Sequence, residues 1–61
     1  MTKLYKAIQG KKANLIGEGS TLIESINDAN IIFYDDVQTD EDKESYVKSA
    51  VQDYVVEVVN A

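Results

Sequence analysis

The sequence contains no cysteine and no histidine, and its six cationic residues, Lys3, Lys6, Lys11, Lys12, Lys43 and Lys48, are all lysine. Without cysteine there is no disulfide and no zinc–thiolate site. Without histidine the commonest general base is missing, and so is the commonest ligand for zinc or copper. Without arginine there is no planar fork to grip a phosphate or a guanine in two places. Together with a net charge of −5, this argues against nucleic-acid binding. Long apolar runs are also absent. "IIFY" (31–34) and "YVVEVV" (54–59) fall far short of the roughly 20 residues needed to cross a bilayer, and "MTKLYKAIQG" lacks the apolar centre of a signal peptide. The expectation is a cytoplasmic chain without membrane partners.

What is left to stabilise so short a chain is packing. At 61 residues it forms one domain (1–61), and a domain of this size buries only about 60% of the surface that its unfolded chain exposes. With disulfides and thiolate metal sites excluded, a partner subunit is the remaining aid, so a homo-oligomer is expected.

The negative charge is local. Residues 1–34 balance to +1 and residues 45–61 to −1, whereas 35–44 carry Asp35, Asp36, Asp40, Glu41, Asp42 and Glu44 against Lys43, a balance of −5. One ten-residue stretch therefore sets the sign of the local field.

Along the chain, "TKLYKAIQ" reads as a strand with Leu4 and Ile8 on one face and Tyr5 and Ala7 on the other. A single helical turn beginning at Thr2 is the competing reading. "QGKK" suits a hairpin turn, and "ANLIG" is then a second, antiparallel strand. In "GEGSTLIESINDAN", Thr21 and Glu24 have the spacing of a capping box, and Leu22, Ile23, Ile26 and Ala29 line one helical face. "IIFYD" reads as a third strand covered on both faces, because it does not alternate. Thr39 is a good N-cap, with Asp42 at the box position and acids in the first turn, where the helix dipole favours them. Tyr46, Val47, Ala50, Val51, Tyr54, Val55 and Val58 recur at three- and four-residue steps. They predict a helix over about 40–58, with a terminal strand after about residue 52 as the alternative, since valine is a mediocre helix former. The expected fold is α+β: a short antiparallel sheet, a short helix and a longer C-terminal amphipathic helix, in the order ββαβα. On that helix Val55, Val56 and Val59 extend beyond the core-facing stripe and are the candidate oligomer interface.

The acidic run "YDDVQTDEDKES" (34–45) is the one candidate for chemistry. It fails as an EF-hand, because counting from Asp40 the sixth position is Ser45, not Gly, and the twelfth is Val51, not Glu. It fails as a phosphoryl-transfer magnesium site for want of a phosphate loop or a basic partner, and the chain is too small to form a sugar cleft around paired carboxylates. No catalytic residue, cofactor or metal site is expected. "GEGST" lacks the lysine and the full glycine spacing of a P-loop and reads as a turn and cap.

The thirteen residues "GEGSTLIESINDA" resemble the glycine turn and helix of HicB-type antitoxins, in which a strand runs into G-x-T-x-x-E-A. The Pro-Gly-Cys-type turn that precedes it in that family is missing here, and no role is carried over from the resemblance.

Two causes can place acids at 35–44. A helix start and a small soluble domain both favour them. Alternatively the patch meets a basic protein surface or imitates a phosphate backbone, with Tyr34 and Tyr46 as anchors. The candidate contact residues are Tyr34, Asp35, Asp36, Asp40, Glu41, Asp42, Glu44 and Tyr46. The expected function is a small acidic, non-enzymatic interaction module, such as a phage-type inhibitor of a basic or nucleic-acid-handling host protein. The alternative is an assembly module that works by homo-oligomerisation.

Overall fold

A two-residue turn starts the sheet. In the computed structural model, which describes residues 1–60, Gln9 and Gly10 both have positive φ, 54° and 79°. That is the pair of left-handed conformations that a tight hairpin with the natural strand twist requires. The turn joins β1 (Thr2–Ile8) to β2 (Lys11–Gly19) as antiparallel neighbours. α1 (Leu22–Asp28) and α2 (Asp40–Ser49) follow, and β3 (Tyr54–Val58) returns to the free side of β1, giving the strand order β2-β1-β3.

The α+β class and the short antiparallel sheet agree with the sequence. The chain order is ββααβ, because the third strand comes after the second helix and is built from the valine-rich segment. α2 ends at Ser49, where Ala50 leaves helical geometry (φ −84°, ψ 61°). The Ala50 carbonyl accepts from both the Asp53 and Tyr54 N–H at 3.0 Å, closing a turn that sends the chain into β3. Four β-branched residues among 55–59 then favour extended backbone. They form the third strand, the role expected of "IIFYD", and it lies beside β1. Residues 31–34 belong to no strand. Ile31 and Phe33 pack against the core while Ile32, 97% exposed, and Tyr34 point outward. This segment is covered on one side, not two.

α1 has the cap read from its sequence. Thr21 Oγ1 accepts from the Glu24 N–H, and Glu24 returns a bond to the backbone N–H of Ser20, one residue before the cap. Asn30, at φ 55°, ends the helix in the left-handed conformation that asparagine tolerates. Leu4, Ile26 and Val47 are the buried centre, each at most 1% exposed, ringed by Ile16, Leu22, Ile23, Ala29, Ile31, Phe33, Tyr46, Tyr54 and Val56. The helices cover one end of the hairpin and leave the other bare. Ile8, expected beside Leu4, is therefore 65% exposed next to the turn, whereas small Ala7 is buried.

Candidate functional site

Asp35 and Asp36 occupy the middle of a tight turn in which the Tyr34 carbonyl accepts from the Val37 N–H at 2.9 Å and from the Gln38 side-chain amide at 2.7 Å. Three residues on, Thr39 caps α2 as its sequence indicates, its Oγ1 accepting from the Asp42 N–H at 3.1 Å. Asp40, Glu41 and Asp42 are exposed in the first helical turn, where they face the positive end of the helix dipole. Glu44 is half-buried along α2.

The two acidic groups are joined by aromatic contact. The Tyr34 ring lies 6.3 Å from that of Tyr46, and Tyr46 in turn meets Phe33 edge-on at 5.7 Å. Tyr46 is half-buried and Phe33 packs against the core, so this stack fixes Tyr34, 70% exposed, to the body of the protein. Asp42 precedes Tyr46 by four residues on α2, which puts it on the same side of the helix. Lys43, the only cation of the run, places its ammonium 5.6 Å from the centre of the Phe33 ring. Among the described residues the one ion pair is Lys12–Glu57, so none of the six carboxylates is neutralised by a lysine. What results is an exposed tyrosine on a rigid aromatic base, flanked by unpaired negative charge.

Phe33 is not legible as a site residue in the sequence, because in "IIFY" four consecutive apolar residues hide which alternate ones face the core. A second cluster is equally hidden in the sequence. On the sheet face away from the helices, β-register sets Tyr5 between Leu15 and Val55. Lys12 Nζ lies 4.7 Å from the Tyr5 ring centre and 3.1 Å from Glu57, and the Tyr5 hydroxyl donates to Glu57 at 3.3 Å. The Lys12 hydrogen bond and charge hold the Glu57 carboxyl below its usual range, and Glu57 in turn raises the Lys12 ammonium. Only strand pairing brings these residues together.

The candidate interface Val55, Val56 and Val59 is not a helical stripe. Val55 lies on the open sheet face opposite Tyr5, Val56 packs against the core, and the Val59 N–H donates to the Met1 carbonyl at 2.8 Å. Strand alternation sends Val55 and Val56 to opposite faces, so the three do not form one surface.

Among the described residues no three carboxylates converge as a metal site, no concave pocket is present, and no helix is long and apolar enough to cross a membrane. No family model, curated protein or solved structure matches the chain.

Proposed function

We propose that this protein is a non-enzymatic interaction module whose acidic, tyrosine-centred face docks on a basic surface of another protein in the cytoplasm. The observation that supports this most is the combination of six carboxylates without a lysine partner and an exposed Tyr34 held by Tyr46 and Phe33. Charge alone gives fast encounter and weak grip, whereas a preorganised aromatic ring adds desolvated contact area at little entropic cost. A helix start that needed only solubility and dipole complementarity would not require Tyr34 fixed among the acids. Basic surfaces of this kind occur on proteins that hold phosphate backbones, so the module acts as an inhibitor by covering such a surface.

The test is capture of proteins from a host lysate by the immobilised chain, compared with a variant carrying Asp35→Asn, Asp36→Asn, Asp40→Asn and Glu41→Gln. A basic protein retained by the parent, released by salt and lost with the variant supports the reading. Equal retention by both chains rejects it.

A further inference from the structure

The two edges of the sheet are not alike. Along β2 the pairing with β1 shifts twice, leaving Ile16 and Ala13 as extra residues, and the strand carries Lys11, Lys12, Glu18 and two glycines. Bulges, lysines and glycines make an edge a poor template for another strand. β3 has none of these. Its register runs unbroken from Lys6↔Tyr54 to Thr2↔Val58, and Glu57 is its only charge.

The hydrogen bonds show which groups of β3 face outward. Val59 N–H donates to Met1 at 2.8 Å and Ala7 N–H to Asp53 at 2.7 Å. Because antiparallel pairs alternate, Val55 and Glu57 are the residues of β3 that bond to β1. The N–H and C=O of Val56 and Val58 therefore point away from the sheet, as does the C=O of Tyr54. The Tyr54 N–H is already bonded to Ala50 at 3.0 Å. Among the described residues no hydrogen bond reaches the Val56 or Val58 N–H, and Val58 is 69% exposed.

We infer that β3 pairs antiparallel with β3 of a second copy of this chain, about a twofold axis at Val56, joining two three-stranded sheets into one of six strands. The strand is complementary to itself in this register. Val56 exchanges both hydrogen bonds with the second copy's Val56. The Val58 N–H meets the second copy's Tyr54 carbonyl, so both free outward donors of β3 are used, and only the Val58 carbonyl, opposite the engaged Tyr54 N–H, is left to water. Glu57 sits opposite Val55. Of the two neighbouring registers that match outward groups, one sets Val58 against Gln52, which lies outside β3 and whose carbonyl already accepts from the Gly10 N–H at 3.3 Å. The other sets Glu57 directly against Glu57, a destabilising like-charge pair. The inference does not rest on the acidic face. Its salt response has the opposite sign, because two copies each of charge −5 repel, and screening strengthens their association.

Sedimentation equilibrium of the full chain from micromolar to millimolar, at low and high salt, tests it. The expected mass rises toward twice 6.8 kDa, at lower concentration when salt is high. Val58→Pro removes an N–H that has no partner among the described residues and is tolerated on an edge strand. It should keep the circular dichroism of the parent and weaken dimerisation on the order of tenfold or more. Val58→Lys, which leaves the backbone intact, should weaken it in the same direction. In amide exchange, Val56 and Val58 should gain protection with concentration while Val55 and Glu57 are protected throughout. A monomer at every concentration and salt overturns the inference. So does a dimer that both variants leave unchanged, or one in which the Val56 and Val58 amides stay open.

Discussion

Gly17 lies directly under the Ser25 carbonyl. A Cβ at this position would overlap that oxygen and press on the backbone N of Ala29 at 2.9 Å. α1 therefore rests on the bare backbone of β2, and the buried Ser25 hydroxyl, which donates to the Leu22 carbonyl at 2.7 Å, has no need to reach the sheet.

Gly17→Ala forces α1 off the sheet or bends β2, and overpacking of this kind costs about 1–3 kcal/mol. In a domain whose whole stability is of the order of 5 kcal/mol, the urea midpoint should fall clearly. An unchanged midpoint would mean that α1 does not sit this close.

Val47 and Val51 are one helical turn apart in sequence, yet Val47 is 1% exposed and Val51 is 61% exposed in the turn after α2. Val47→Asp buries an unpaired carboxylate and should unfold the domain, whereas Val51→Asp should stay within about 0.5 kcal/mol of the parent, as surface changes do. Thermal circular dichroism separates the two. Loss of fold in both would place Val51 in the core and extend α2 beyond Ser49.

The contrast between these two valines marks how far the sequence can be read. The hairpin turn, both threonine caps, and Leu4, Ile26 and Val47 as core residues follow from local rules: positive φ at a Gln-Gly pair, an oxygen three residues ahead of an N–H, and spacing by three or four. The place beside β1 does not. "IIFY" and "YVVEVV" both suit a strand, and only the turn at Ala50, set by tertiary structure, decides between them. The candidate face at 34–46 was legible because acids and tyrosines are adjacent in sequence. The Lys12–Tyr5–Glu57 cluster spans the chain: the hairpin register Ala7↔Lys12 puts Lys12 on the face of Tyr5, and the pairing of β1 with β3 brings Glu57 there.

That cluster makes stability depend weakly on pH at both ends. Glu57 is held below its usual range by Lys12, so its contribution is present above the unfolded value and is lost as pH falls through the lowered folded value. Lys12 is raised by Glu57, so its contribution holds below the ordinary lysine value and is lost as pH rises through the raised one. The pair is exposed and screened, so the expected effect is small. Glu57→Gln should flatten both limbs of midpoint against pH. Limbs unchanged in the variant would assign them to other groups.

The acidic face yields the most discriminating measurement, because its two explanations predict opposite results. If it is a contact, the fourfold variant at Asp35, Asp36, Asp40 and Glu41 should slow association with the captured protein and reduce the dependence of that rate on salt. Its own unfolding should change by only roughly a kcal/mol, from losing two acids at the helix start. Tyr34→Ala should act mainly on dissociation, since an anchor is lost while the field remains. Tyr34 is the cleaner of the two tyrosines to remove. Being 70% exposed, it can be truncated with the fold intact, whereas Tyr46 is half-buried against Phe33 and the core, so Tyr46→Ala would confound binding with stability. If the acids serve only the helix, the fourfold variant loses that same stability and binds as the parent does, and Tyr34→Ala changes nothing. Association and dissociation rates of both variants, measured by surface plasmon resonance at two salt concentrations alongside their denaturation midpoints, decide between a docking face and a solvated helix start.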